Sequence, residues 1–313
     1  MLRDYLKYEI VSLTKKVSVA LEKEYYHSSL SRLNREIYYA EHFQIEEEII
    51  ALHKLSIYLK ENNIPYCLQG NASNLYLLYL LGISRVNPLD FNLRYENFFG
   101  LELEKTKLRA SQLFINMAVP TECHSAVLDK IKSEQMLKNK KTETRKYSFN
   151  IGKISIAHFD MPCEIKDYFS ETDFNILLEF ILEEYNDDDF ANAIDTVFDC
   201  KSDITLDDAI KVFGLIHSSW NFDDILIAFS QLDMPLSDVP VFYDDVFDML
   251  LNNFTNKDAW KYADSVHWGN DLSQEVARYV PPAIFNWCNS ALYLFPKAHA
   301  LEHFIHQYKL KGR

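Results

Sequence analysis

Three groups of residues have the types and spacing to handle phosphate, metal or protons. The first lies in the stretch Leu68–Leu89, LQGNASNLYLLYLLGISRVNPL, where Gln69-Gly70-Asn71-Ala72-Ser73-Asn74 precedes an apolar run. Short polar side chains around a glycine let backbone N–H groups close on an anion, so a phosphate loop is sought here first. The second is Lys297 with His299 and His303. Histidines four apart share a helix face and could hold zinc, but Glu302 between them does not complete an HExxH pattern. The third is the paired acids Asp207-Asp208 and Asp244-Asp245. Adjacent helix residues point to different faces, so these read as caps and solvated positions rather than acid–base pairs. His53, His124 and His158 have no acid or nucleophile at a recognisable spacing. Cys67, Cys123, Cys163, Cys200 and Cys288 are scattered with no CxxC pair. That spacing suggests neither zinc nor a disulfide framework, and a reduced, cytoplasmic protein is expected.

The elements that must carry these residues are mostly helical. With 313 residues, 48% of them hydrophobic and 14% aromatic, the chain can build a substantial core. Only seven residues are glycine. That leaves few points for close backbone approach to a ligand and weighs against a nucleotide-binding enzyme. The N-terminus alternates charged and apolar residues, unlike a signal peptide, and no run is long enough to span a membrane. Arg32–Asn63 reads as one or two helices closed by Asn62-Asn63 before Pro65, and Asn74–Leu81 as a buried helix stopped at Gly82. FINMAVP and YSFNIGKISIAHFD alternate as strands do. DFNILLEFILEEY, TLDDAIKVFGLIH, FYDDVFDMLLNNF and PAIFNWCNSALYLF return to helical spacing. Lys138–Lys146 is the expected mobile linker.

The net charge of −14 is localised: Asp160–Asp208 holds sixteen acids against Lys166 and Lys201, and the rest sums to zero. Lys130–Lys153 is basic, with eight Lys or Arg against Glu134 and Glu143, and Asp129 just before it. The plain reading is a solvated helical face and a mobile loop. The sharper one makes the acidic block a partner surface and the basic one a phosphate contact.

GNASNLYLLYLLGISRVNPL resembles the loop and helix of the alpha subunit of bacterial DNA polymerase III, closest to the PolC type. That family carries G-S-R-G-S-x-G-S-S, an apolar helix, then G-I-T-x-V-N-P-L. RLNREI…LHKLSIYLKENNIPY is similar to its helical lead-in. GLIHSSW (Gly214–Trp220), DVPVFYDDVFDMLL and VPPAIFNWCNSALYLFPKAHA are similar to later segments in the same order, and Phe295–Ala300 reproduces F-P-K-A-H-A. The resemblance covers most of Arg32–His303. It implies that roughly half of the catalytic core is missing between Lys105 and Glu164, with no counterpart of the exonuclease, PHP and OB modules.

The resemblance implies a mainly α fold with a small β-sheet (α+β): a reduced palm-like sheet in residues 1–163 and a helical, fingers-like region in 164–313. FINMAVP and ISIAHFD would be neighbouring strands. It also implies a degenerate site. In the phosphate loop the arginine position is Gln69 and the first serine Asn71; the later glycine and serine are Ser73 and Asn74, so only Gly70 is kept. The carboxylates that hold two Mg²⁺ ions for in-line phosphoryl transfer fall at Phe114, which cannot ligate Mg²⁺, and Asn116, which is neutral. Asp160 is the remnant candidate of a third. Lys297 and His299 occupy the fingers segment near the incoming nucleotide, or else Lys297 is a solvated residue behind Pro296.

The function expected is a catalytically degenerate, PolC-like protein. It would act as an interaction or regulatory module linked to DNA replication, a decoy of the kind a phage or mobile element could use. Its partner would be a protein, the replication machinery included, reached through the acidic block, whose carboxylates would face solvent. No cofactor is expected. The first alternative is residual nucleotide-binding or nucleotidyltransferase activity with Mg²⁺, needing Gly70, Asp160, Lys297 and His299 to converge with a replacement carboxylate such as Glu102 or Glu104. The second is a non-catalytic DNA-binding protein, which the net charge disfavours.

Overall fold

The computed structural model describes residues 2, 5, 23–100, 113–133, 142–144, 148–159, 205–220 and 238–308. Asp160, Glu102, Glu104 and the acidic block up to residue 204 lie outside the described residues, as does DFNILLEFILEEY. The chain divides into two compact units, residues 1–165 with 305–307 and 313, and residues 166–304 with 308–312. The architecture is mainly helical with a small mixed sheet, an α+β fold.

Arg32–Asn63 contributes to two helices, α1 (Lys23–His42) and α2 (Glu46–Glu61). The break between them falls at Gln44, which is left-handed at φ 56°. Helix α2 opens with Glu46, Glu47 and Glu48, whose charge suits the positive end of the helix dipole. It closes at Asn62, and Asn63 takes the left-handed turn at φ 52° that asparagine tolerates. After strand β1 (Cys67–Gln69) comes a 3₁₀ turn (Ala72–Asn74) and then helix α3 (Tyr76–Leu80). The helix is shorter than its periodicity suggests because Leu75 is extended, at φ −89° and ψ 116°. Gly82 stops it at φ 65°, and the Gly82 carbonyl accepts from the Tyr66 hydroxyl at 3.2 Å and from the Lys60 ammonium. Helix α4 (Tyr95–Phe99) follows.

The sheet comprises β1, β2 (Ile115–Pro120), β3 (Thr142–Thr144), β4 (Ser148–Ile151) and β5 (Ile154–Phe159), in the order β1-β2-β5-β4-β3. Helix α5 (His124–Ser133) lies between β2 and β3 in the chain. Strands β2 and β5 are neighbours, as expected of FINMAVP and ISIAHFD; they run parallel, and the other pairs are antiparallel. The alternation that identified these strands now has a physical cause. Leu68, Ile115, Met117, Val119, Ile154 and Ile156 belong to one buried cluster with Leu33 and Ile37 of α1 and Leu52, Leu55 and Leu59 of α2. Burying each such side chain contributes about 1.5–3 kcal/mol.

The second unit contains α6 (Leu206–His217), β6 (Ser219–Trp220), α7 (Tyr243–Leu250), α8 (Asn256–His267), α9 (Pro282–Ser290), β7 (Ala291–Tyr293) and α10 (Lys297–Tyr308). Helix α6 begins on a capping box in which Thr205 and Asp208 each accept from the other's backbone N–H. Gly214 permits close packing: a Cβ there would lie 2.3 Å from the Phe242 ring. PAIFNWCNSALYLF reads as helical throughout, but only Pro282–Ser290 is a helix. Ala291–Tyr293 instead pairs with β6, so a tertiary contact overrides the local preference. Among the described residues no helix is long and apolar enough to cross a membrane.

Candidate functional site

Strand β1 runs into the polar loop, and its register fixes what the loop faces. Gln69 pairs with Asn116, Asn116 with Ser155, and Ser155 with Asn150. Positions in register share a sheet face, so this is a row of amide and hydroxyl side chains opposite the apolar face. Beyond Asn150 the register position belongs to Glu143. Three strand spacings of about 4.8 Å put that position roughly 14 Å from Asn116, too far to share a metal ion with it.

Gly70 sits beside this row at φ 64°, and a Cβ there would lie 3.8 Å from Asn116 Nδ2. The obstacle to another residue is therefore the left-handed backbone rather than space. Phe114 is half-buried, with the Lys153 ammonium 5.5 Å from the centre of its ring. The Ile115 N–H donates to the Lys153 carbonyl at 2.8 Å. An apolar ring under a cation thus stands where the resemblance put the first carboxylate. On β5 the last described residue before Asp160, Phe159, pairs with Pro120, four positions along β2 from Asn116. Four residues of strand span about 13 Å.

The loop is secured by residues that sequence reasoning passed over. Glu36 is fully buried, and its carboxylate accepts from the Tyr76 N–H at 3.0 Å and the Leu77 N–H at 2.8 Å, the first N–H groups of α3. Arg32 donates to Glu36 at 2.9 Å, and its other nitrogens donate to the Asn74 and Leu93 carbonyls, both at 2.6 Å. Burial pushes the Glu36 carboxyl above its ordinary range, while Arg32 and the two N–H groups pull it back. The positive end of α3 is thereby satisfied inside the protein, so any phosphate would have to be held by the loop itself. Arg32 and Glu36, four apart in α1, carry the only local signal of this clamp. Within the loop, Asn74 Nδ2 donates to Asn71 Oδ1 at 3.2 Å.

In the second unit, Lys297 opens α10. Its N–H donates to Asp244 at 2.7 Å, and its ammonium meets Asp207 at 3.4 Å. The Lys297 side chain is only 16% exposed, so the solvated alternative is corrected: it is a half-buried ion-pair member. Asp245 accepts from the Val241 and Phe242 N–H groups, both at 3.0 Å. Burial raises the Asp245 carboxyl, against the pull of Lys211 and Lys297. Lys211 is buried and donates to the Val239 carbonyl at 2.9 Å. Burial lowers its ammonium against Asp245 and Asp207. Asp208 and Asp245 are caps, as their sequence suggests, while Asp207 pairs with the Lys297 ammonium and Asp244 serves a helix other than its own. The His299 ring lies 4.7 Å, centre to centre, from both Phe295 and His303. Among the described residues no group of three or more His, Cys, Asp or Glu is placed to hold a metal ion. Gln69, Gly70, Asn71, Phe114 and Asn116 thus lie in the first unit, and Lys297 and His299 in the second.

An α+β unit in which a glycine loop links a short strand to an apolar helix beside a mixed sheet is the class of structure defined here. A family described as the bacterial DNA polymerase III alpha NTPase domain matches residues 5–107 of the 313, so that stretch is similar to this domain. The match covers both helices of the lead-in, the loop, α3 and α4. No curated protein matches the chain.

Proposed function

We propose that this protein is a non-catalytic relative of the PolC-type polymerase core, acting in the cytoplasm as an interaction or regulatory module linked to DNA replication. The observation that carries this reading is the row beside Gly70. Phosphoryl transfer of the family type needs carboxylates converging on two Mg²⁺ ions, and the positions facing the loop hold Gln69, Asn116 and Ser155. Amides and a hydroxyl supply no charge for a metal ion or for the developing oxyanions. Phe114 lies under the Lys153 ammonium, which repels a cation. The small number of glycines and the loss of the loop arginine support the same reading.

The test is primer extension on a primed template with all four dNTPs and Mg²⁺, alongside thermal melting in millimolar dNTP–Mg²⁺. No extension and an unchanged melting temperature are expected. A ligand at about 100 times its dissociation constant would add about 2.7 kcal/mol, so bound dNTP would be seen. Extension above a no-protein control overturns the proposal.

A further inference from the structure

In the second unit a buried histidine holds the segment that leads into α10. His267, the last residue of α8, grips Leu294 twice. Its backbone carbonyl accepts from the Leu294 N–H at 3.2 Å, and its ring Nδ1 lies against the Leu294 carbonyl. A carbonyl can only accept, so Nδ1 carries the proton of that bond and Nε2 is the nitrogen left to titrate. Three rings surround the imidazole: Tyr243 of α7 and Tyr293 of β7, each with its centre 4.9 Å away, and Trp268 at 4.7 Å. The grip reaches further along the chain. Next to Leu294, the Phe295 N–H donates to the Ser218 hydroxyl at 3.2 Å, and the Phe295 carbonyl accepts from the Tyr243 N–H at 3.3 Å. The Lys297 N–H then meets Asp244 where α10 begins.

Histidine is the side chain that ordinarily changes charge between about pH 5 and 8, and this one is enclosed. The titratable groups facing it are the phenols of Tyr243 on α7 and Tyr293 on β7, and the Asp264 carboxylate on its own helix. Burial holds the imidazole below its ordinary 6.5, against the pull of the Leu294 carbonyl and Asp264. We infer that His267 is an acid-released latch: neutral, it clamps β7 to α8, and on protonation it lets go of β7 and the segment that opens α10. The sign follows from linkage. A folded value held below the ordinary one means that the open state takes up the proton first, so the clamp is complete above pH 6.5 and weakens as pH falls below it. The inference is independent of the interaction reading above.

The test is NMR of the full chain, following the His267 ring through a pH titration and hydrogen exchange at the Leu294 N–H. The ring signal is assigned by its loss in His267→Asn, whose side-chain amide can donate in place of Nδ1 but does not titrate. In the wild type the ring should titrate below 6.5. Leu294 protection, corrected for the intrinsic exchange rate, should fall from about pH 7 to about pH 5. The fall tends to about tenfold for each pH unit separating the folded and open values. The Ala259 N–H, bonded to Thr255 at the other end of α8, should keep its protection. His267→Asn should protect Leu294 equally at both pH values. Four results would each overturn the inference: ring titration at or above 6.5, Leu294 protection independent of pH in the wild type, an equal fall at Ala259, or an unchanged pH dependence in His267→Asn. The first three need only the wild-type chain, so a variant that fails to fold leaves the test standing.

Discussion

Gly70 and Asn116 meet across the first two strands of the sheet: a Cβ on the glycine would lie 3.8 Å from the asparagine Nδ2, and Gln69 pairs in register with Asn116. The loop that resembles a triphosphate cradle therefore faces a neutral amide.

Returning carboxylates to this strand should not create a polymerase. The double variant Phe114→Asp, Asn116→Asp is expected to show no primer extension above wild type in Mg²⁺. Gln69 supplies no charge, and positioning accounts for much of phosphoryl-transfer catalysis. Extension by the double variant alone would show that the remaining geometry suffices.

Glu36 should be among the most sensitive positions of the first unit. Its removal leaves Arg32 partly buried without its carboxylate and the Tyr76 and Leu77 N–H groups without an acceptor. Glu36→Ala is expected to cost about 3–5 kcal/mol in urea denaturation, and Glu36→Gln less, since the amide oxygen still accepts.

Two glycines should respond differently to alanine. At Gly269 the obstacle is the Leu292 backbone, 2.2 Å from the new Cβ, and φ is 70°. Gly269→Ala should destabilise by at least about 2 kcal/mol, with no rescue by shortening a neighbouring side chain. At Gly214 the obstacle is the Phe242 ring, so Phe242→Leu should recover part of the loss in Gly214→Ala. Urea midpoints of the single and double variants decide this.

The start of α10 should depend on Asp244 more than on the Lys297 charge. Asp244→Ala removes the acceptor of the Lys297 N–H and should cost about 1 kcal/mol, whereas Asp244→Asn should be nearly neutral. Lys297→Met loses a pair whose aspartate is half exposed, and should cost less than about 1 kcal/mol. A larger loss in Lys297→Met than in Asp244→Ala would reverse the assignment.

Cys288 should make the fold alkali-sensitive. Burial pushes its thiol up from 9.0 to about 12. A raised acid pKa means that the unfolded chain ionises first, so this contribution is complete below pH 9 and is lost as pH rises towards 12. Urea midpoints measured from about pH 8 to about pH 10 should fall, and Cys288→Ala should flatten the slope. Cys123, less buried, should react with iodoacetamide before Cys67 and Cys288 in the native protein.

By itself the sequence determined the elements and much of the chemistry available to them. Burial repeats every two residues in a strand and every 3.6 in a helix, so Ile115–Pro120 and Leu206–His217 were legible from apolar spacing. The capping roles of Asp208 and Asp245 were legible too, because a cap acts within one turn. That Phe114 cannot hold a metal ion and Gln69 cannot bring an arginine's charge to a phosphate follows from residue type alone. Tertiary structure decided which residues meet. Glu36 caps a helix forty residues away, and Asp244 caps one 53 residues away. Strand register alone places Asn116 beside Gln69 and Ser155. Such pairings depend on loop closure and on the whole buried face choosing one register, and a slip of a single residue would turn every side chain of a strand to the other face. Ala291–Tyr293 shows the same limit: three residues that extend a helical pattern become a strand because β6 lies alongside to pair with them.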